Sequence, residues 1–440
     1  MQKGFKLKIS AKFFNKNHLN ELKRYTNVSN NSIHLISNKN KNLEIYKSLT
    51  EQIKLINEKD LVETIDSLNE KFDLIIITDL FELTDDIYNV LKKIKFNLTS
   101  DGKLLVTSVN PKWNFILRLF ENLNLKTKTG NRAYIHPKKI SNVAKSSNFE
   151  LNQYYSRQIF PFHFIGIGNL INKILEFIFL QFNLGIKNYM VFGIYKNDNN
   201  KLSKSIIIPA KNEEKNLIPL IKRVPNFEED YELIVVYGES QDKTEEVVLN
   251  LEKSFPELNI SVLKQSKNGK ANAVWDAVNI ASNDLIAILD SDQSVDPEVL
   301  IEFFEILESG NADFVNGTRL IYPMEDKAMR ALNTLGNKAF QFLISIVIKQ
   351  KLTDSLCGTK VFKKTNIKKI LNWQNTLASK DPFGDFDLIF SAAYSGDRIL
   401  EYPVHYRARV YGETQISRFR DGFKLIRYFL KSFYLFNISK

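Results

Sequence analysis

Two carboxylates one residue apart, Asp290 and Asp292, follow an apolar run in LIAILDSDQSVDPEVL. On an extended chain residues i and i+2 face the same side, so both acids can be aimed at one ligand. Their oxygens fill only part of the shell of a hard divalent cation, which Mg2+ or Mn2+ would complete with diphosphate oxygens and water. A departing diphosphate carries extra negative charge, and neutralising it is the chemistry such a cation serves. The opposing reading is a solvated turn ahead of a helix starting at Pro297, with Asp296 as its N-cap. Asp296 is assigned the cap, and Asp290 and Asp292 the metal.

A second cluster is cationic. YRARVYGETQISRFRDG holds Arg407, Arg409, Arg418 and Arg420, with Gly412 permitting a tight loop. Guanidinium forks suit phosphate oxygens. Surface charge accounts for two of the four, and Arg409 and Arg418, together with Arg319 in GTR, are assigned to phosphate. His405 reads as a packed strand residue rather than a metal ligand. The single cysteine, Cys357, reads as small and buried, excludes an intrachain disulfide and fits a reducing compartment.

The elements that must position these groups form two series. KSIIIPA, ELIVVY, ISVLK and DLIAILD are short apolar runs with helical patterns between them at Glu214–Arg223, Lys243–Lys253 and Lys270–Ala281. That alternation predicts an open α/β sheet, which binds ligands beyond the carboxyl ends of its strands. Pro209–Glu213, Tyr237–Asp242 and Asp290–Gln293 are the loops so placed. Earlier in the chain, Phe72–Leu80, Gly102–Val109 and Tyr189–Tyr195 read as strands, with helices over Asp85–Asn97 and Trp113–Asn122. They predict a parallel α/β sheet. The polar stretch 197–204 reads as a linker between a domain over 1–196 and another over 205–440.

SIIIPAKNEEKNL, then GKANAVWDA, then LDSDQSVDPE, in this order and spacing, resemble family 2 glycosyltransferases of the GT-A fold. FVNGTRLIYPMED, LTDSLCGTKVF, DPFGDFDLIFSAA and EYPVHYRARVYGETQISRFRDG resemble the branch that contains dolichol-phosphate mannosyltransferases. The resemblance spans Ser205–Phe436. It implies that Pro209, Ala210, Asn212 and Glu213 line the nucleotide pocket, that Lys270 lies near the donor, and that Asp290 and Asp292 hold donor and metal. Where the family carries an aspartate pair this chain has Tyr237-Gly238, which leaves the base open; Ser240, Asp242 and Thr244 keep the rest of that pattern. The resemblance also implies an acid near Asp381, Asp385 and Asp387 that deprotonates the acceptor hydroxyl. If the acceptor is a lipid phosphate its oxygen is already anionic, so Asp385 or Asp387 is either base or acceptor-positioning group. One acid there is accounted for by a helix N-terminus.

FDLIIITDLFEL, LTSDGKLLVTSVN, HPKKISNVAKSSNFEL and YMVFGIY resemble the second half of a class I S-adenosylmethionine-dependent methyltransferase. A working domain of that kind has a glycine-rich loop after its first strand, yet no glycine stands between Phe5 and Lys71. The domain therefore reads as degenerate, without S-adenosylmethionine, and as a structural or docking module.

The 440 residues exceed one ordinary core, and 44% apolar with 25% charged residues excludes a disordered chain. The net charge of +11 suits phosphate-bearing substrates or an anionic membrane surface; no nucleic-acid partner is expected. The N-terminus has no apolar core of a secretory signal. The nearest approach to a membrane span, Ile159–Phe182, is broken by His163, Asn169, Lys173, Glu176 and Gln181. The C-terminal FRDGFKLIRYFLKSFYLFNISK is either an interfacial helix or a basic-faced helix packed on the fold. The chain reads as a metal-dependent, inverting glycosyltransferase with a nucleotide-sugar donor and a polyprenyl-phosphate or glycan acceptor, cytoplasmic or peripheral on the cytoplasmic membrane face. Its rivals are an active methyltransferase and a non-catalytic membrane-associated scaffold.

Overall fold

The structure, a computed structural model, describes all residues except 1, 38–45, 47, 51, 57–59, 83, 85, 124–134, 163–166, 180–181, 196–200, 229, 322–330, 351, 378–380, 382–383, 410, 412–417 and 438–440. The chain divides into two compact units, Met1–Tyr195 and Lys196–Phe436.

The first unit runs α1 (Gln2–Thr26), β1 (Ser32–Ser37), β2 (Gln52–Ile56), α2 (Leu61–Asp66), β3 (Phe72–Thr78), α3 (Ile87–Phe96), β4 (Leu98–Val109), α4 (Asn114–Asn122), α5 (Pro137–Ser146), β5 (Phe149–Arg157), α6 (Gly168–Ile178) and β6 (Lys187–Ile194). Its six strands lie in the order β2-β1-β3-β4-β6-β5. The expectation of a parallel sheet holds for β1 to β4 only, because β6 pairs antiparallel with both β4 and β5. One strand position separates β5 from β4, and β6 fills it, running antiparallel to both.

Both faces of this sheet are buried, as near-continuous apolar strands require. Leu35, Ile75, Ile77 and Val106 pack on one face with Leu61, Ile65, Leu91 and Ile140. On the other, α1 contributes Leu22 and Tyr25 against Ile76, Leu105, Tyr155 and Tyr189. Two histidines are enclosed there. His18 Nδ1 lies 2.7 Å from the Tyr189 hydroxyl, and His34 Nε2 lies 2.8 Å from Thr78 Oγ1. Burial, and then the Lys187 ammonium, push His34 down to about 3 and His18 well below its ordinary value. An unfolded chain thus binds protons that the folded one refuses.

The second unit continues with β7 (Lys204–Ala210), α7 (Leu217–Arg223), β8 (Tyr231–Tyr237), α8 (Thr244–Leu249), α9 (Leu251–Ser254), β9 (Ile260–Lys264), α10 (Lys270–Ile280), β10 (Leu285–Ile288) and α11 (Leu300–Glu308). It ends with β11 (Phe314–Thr318), α12 (Ala331–Ile348), β12 (Lys360–Lys363), α13 (Asn366–Leu377), α14 (Asp385–Tyr394), β13 (Ile399–Pro403) and α15 (Arg418–Asn437). Seven strands lie in the order β13-β11-β12-β10-β7-β8-β9. β10, β7, β8 and β9 are parallel, as are β11 and β13, and β12 joins the two sets antiparallel to both. Alternate residues feed alternate faces: Ile207, Ile234, Val236 and Ile286 one, Ile206, Ile208, Val235 and Ala287 the other.

Three local expectations change. Lys204, expected to close the linker, opens β7, and its buried ammonium sits 3.0 Å from Glu308. The helix expected over Lys243–Lys253 is two short helices meeting at Asn250. Asp296 occupies the N-cap position of a 3-10 turn but caps nothing; its carboxylate is held by Arg223 at 2.6 Å and Arg407 at 2.9 Å. The C-terminal α15 buries Leu425, Tyr428 and Phe436 in the core beside Trp373 and Phe390, and exposes Phe423, Ile426, Leu430 and Tyr434. Among the described residues no helix is long and apolar enough to cross a membrane.

The enclosed histidines give the first expected outcome. A folded-state pKa below the unfolded value means stability present above about 6.5 and lost as pH falls toward about 3. Thermal melts between these values should show the wild type losing stability with acid, and His34→Gln should flatten that slope; an unchanged slope would remove His34 as its source.

Candidate functional site

The carboxyl ends of β7, β8 and β10 meet in one place, and side chains lace their loops together. Asn212, with φ 56°, adopts the left-handed conformation that asparagine tolerates better than most residues. Its backbone N–H donates to Ser240 Oγ at 3.1 Å, while its side-chain oxygen accepts from the Gln241 N–H at 2.7 Å. Asp242 accepts from the Glu214 and Thr244 N–H groups, and the Thr244 hydroxyl accepts from the Glu213 N–H. Ser291 donates to the Pro209 carbonyl at 2.8 Å, and the Gly238 N–H donates to the Ala210 carbonyl. Asp242 is therefore tied into the loop frame. The chain after β13 runs along the acid loop through the Val295–Tyr406 bridge and the Arg407 N–H to Ser294 carbonyl bond, and Tyr411 donates to Glu214.

Into this frame come charges from distant parts of the chain. Lys270, at the first turn of α10, places Nζ 2.6 Å from Asp290 Oδ1. Arg409 places a guanidinium nitrogen 2.6 Å from Asp292 Oδ2 and another 3.9 Å from Glu213. Asp292 Oδ1 accepts from both the N–H and the hydroxyl of Ser294. Burial pushes Asp290 up, but Lys270, then Lys360 and Arg409, hold it below the usual carboxylate range. Lys270 is kept charged by Asp290 and then Asp385 against the burial that opposes its charge. Glu213 goes the other way: burial lifts it to about 7, with Asp292 and Asp290 adding to the rise and Asn216 and Arg409 opposing it. A cation would relieve that surplus of acid.

Room for Asp290 depends on a glycine. A Cβ at Gly358 would stand 2.0 Å from Asp290 Oδ2, inside any allowed contact. Among the described residues no group of three or more histidine, cysteine, aspartate or glutamate side chains forms a metal cluster. The donor set is nevertheless of the hard oxygen kind, so Asp290 and Asp292 suit Mg2+ or Mn2+ as partial ligands, the remaining positions falling to a ligand's oxygens and water.

The structure separates the two acids of α14. Asp385 takes an ion pair from Lys360 Nζ at 2.8 Å, on the side where Gly384 adjoins Ala271 of α10. Asp387 is fully buried and accepts from the Tyr428 hydroxyl at 2.5 Å and Gln374 Nε2 at 2.8 Å, so it ties α14 to α15 and α13. Asp381 accepts from the Phe386 N–H at 2.6 Å, capping the helix. Arg319 is also committed inside the protein: its fork grips Asp354 at 2.7 and 2.9 Å, and its guanidinium lies 5.0 Å from the Tyr406 ring centre. Arg418 opens α15, and its side chain, like that of Arg420, lies outside the described residues, as does Gly412. His405 is exposed beyond the end of β13, not packed within a strand. Cys357 is buried, and burial pushes its thiol to about 11. Tyr237 is nearly buried at the end of β8, and Gly238 leaves space for the Gln265 amide, which a Cβ would approach to 2.5 Å.

Lys360, Asp354 and Gly358 escaped sequence reasoning. Lys360 was the most findable: a lysine inside the otherwise apolar run TKVF must either pair or unfold the strand.

Residues 205–371 match the model of glycosyl transferase family 2. A dolichyl-phosphate beta-glucosyltransferase of Trichomonas vaginalis is 31% identical over 218 residues, covering 46% of this chain and 65% of the relative. The chain thus spans just under two thirds of that relative's length. A dolichyl-phosphate hexose transferase of Haloferax volcanii is 25% identical over 218 residues, or 50% of this chain and 88% of the relative. Among solved structures, glucosyl-3-phosphoglycerate synthase from Mycobacterium tuberculosis aligns with a TM-score of 0.40 and 17% identity, over 53% of this chain and 78% of that one. The laced loops and the acid pair lie within residues 205–371, the stretch that matches glycosyl transferase family 2.

Proposed function

We propose that the protein transfers a hexosyl group from a nucleotide-diphosphate sugar to a polyprenyl phosphate. The observation that carries the reading is the convergence of Asp290, Asp292, Glu213, Lys270 and Arg409 at the strand ends of a family 2 domain. The dolichyl-phosphate acceptors named for the two relatives support the choice of acceptor.

In this reading Pro209, Ala210, Asn212 and Glu213 form the wall of the nucleotide pocket. Asp290 and Asp292 would hold a divalent cation, which would supply charge neutralisation to the diphosphate. Lys270 and Arg409 offer their donors to the diphosphate oxygens. Arg418 is assigned to the same phosphates. An acceptor phosphate oxygen attacks the anomeric carbon from the face opposite the donor's C–O bond. That bond breaks, its electron pair leaves with the nucleoside diphosphate, and the configuration inverts. A phosphate nucleophile needs no base, so Asp385 is left a positioning role, holding the Lys360 ammonium near Asp290. A hydroxyl acceptor would instead demand Asp385 as base.

The first unit is read as a methyltransferase-type sheet that serves as a structural module. Its strand order, with the reversed β6 between β4 and β5, supports the type, and the glycine-free sequence ahead of Lys71 supports the loss of cofactor. The exposed stripe of Phe423, Ile426, Leu430 and Tyr434 on α15 supports a helix that also touches a membrane surface near the acceptor.

A thermal-shift series with nucleoside diphosphates and nucleotide sugars should raise the melting temperature for one base, and more with Mn2+ present than without. S-adenosylmethionine should leave it unmoved. Asp290→Asn and Asp292→Asn should abolish the metal-dependent part and lower kcat at least about a hundredfold; full activity in Asp292→Asn would leave a scaffold as the better reading. Gly358→Ala should keep the fold yet lose the nucleotide response, because its Cβ takes the place of the Asp290 carboxylate. Asp385→Asn should lower turnover far more than Tm, and Asp387→Asn should lower Tm with little effect on turnover. The reverse pattern would assign the chemistry to Asp387.

A further inference from the structure

In the first unit, two helices turn large apolar side chains to solvent. A surface helix ordinarily turns its apolar stripe inward. In α6 the polar side faces in: Asn172 bonds both the N–H and the carbonyl of Phe160 at 2.6 Å, and Glu176 accepts from the Gln158 N–H at 2.6 Å and from Arg157 at 3.3 Å. These four bonds fix the rotation of the helix, and they leave Leu170, Ile174 and Ile178, spaced i, i+4 and i+8, facing solvent. The neighbouring α4 also exposes apolar side chains. Leu117 is buried, while Phe115, Leu119 and Leu123, at the same spacing, are exposed, Phe115 to 80%.

The two stripes belong to one surface. The Phe120 ring of α4 meets Phe162, and Phe162 meets Phe160, the residue that Asn172 clamps. From the start of α4, Trp113 Nε1 donates to the Leu184 carbonyl at 2.7 Å and Lys112 Nζ to the Phe182 carbonyl at 2.9 Å, joining it to the chain just beyond α6. Phe182 itself is 62% exposed. Six or more large apolar side chains on one rigid face exceed the scattered surface hydrophobics of a monomer.

We propose that this α4–α6 face docks on an anionic lipid bilayer, its apolar stripes entering the acyl boundary and Lys112, Arg118 and Lys173 meeting the headgroups. Charge selects the occupant. The acid on α6, Glu176, is turned into the unit against Arg157, and the acid on α4, Glu121, is half-buried, whereas Arg118 and Lys112 are exposed and Lys173 is half-buried at the border of the stripe. A second copy of this chain would bring the same lysines and arginine face to face, and a negatively charged surface pairs with them instead. The segment is the one whose sequence comes nearest to a membrane span. Polar residues interrupt it, and Glu176 among them, together with Asn172, fixes which side of α6 faces solvent. The inference stands independently of the glycosyl-transfer reading.

Flotation of the full-length protein with vesicles tests it, using phosphatidylcholine alone and phosphatidylcholine with added phosphatidylglycerol. Wild type should float with the anionic vesicles and fall off with salt. The variant Phe115→Ser/Leu119→Ser/Ile174→Ser/Ile178→Ser, changed only at exposed positions, should bind them at least about a hundredfold more weakly, with an unaltered melting temperature. A second variant, Phe423→Ser/Leu430→Ser, removes the exposed stripe of α15 and should retain a binding component that the first variant lacks. Flotation of the fourfold variant equal to wild type overturns the proposal, as does loss of all binding in the α15 variant. A wild type that ignores both vesicles and runs as a dimer, while the fourfold variant runs as a monomer, overturns it in favour of a second copy.

Discussion

The second unit is organised around a problem of charge. Asp290, Asp292 and Glu213 crowd the ends of parallel strands, where carboxylates are partly withdrawn from water and repel one another. Partly buried carboxylates so close together repel one another, so the cluster needs its compensating cations in place. Lys270 and Arg409 supply them, from a helix start and from a loop beyond the last strand. Neither cation is near the acids in sequence. The fold must therefore be complete before the cluster is tolerable, and the cluster in turn rewards completeness.

The same economy of charge explains the residues that line the site without facing a ligand. Asp354 fixes Arg319, which lies against Tyr406, the residue that bridges to the acid loop. Lys360 draws Asp385 and the start of α14 toward β12. Asp296 gathers Arg223 and Arg407 on the outer side of the same loop. Each pair ties two segments whose relative position decides where Asp290 and Asp292 point.

Much of this was legible in the sequence because each local signal had one dominant cause. Four apolar runs ending in polar loops became β7 to β10, and the acid pair stands where the last of them ends. The illegible part came from residues whose neighbours are remote. Nothing near Asp387 reveals that Tyr428 and Gln374 enclose it, whereas Asp385, two residues earlier on the helix, faces another way. The i, i+2 spacing that brings side chains together on a strand separates them on a helix by roughly 200°, and the reading of both acids as one cluster overlooked that. Asp296 shows a different lapse: the sequence specified the cap position, but two arginines outcompeted the helix N–H groups for its oxygens. In the first unit the direction of β6 was invisible, since a strand's composition carries no sign of which way it runs.

The seven-stranded sheet has a seam. Strands β9, β8, β7 and β10 form one parallel block and β11 with β13 another, and among the described residues the sheet connection between them is β12, four residues long and reversed. Asp290 leaves the first block, and Arg409 follows the second. A molecule that grips both therefore staples the blocks across their shortest weld, and by linkage its binding free energy becomes resistance to the sheet parting there.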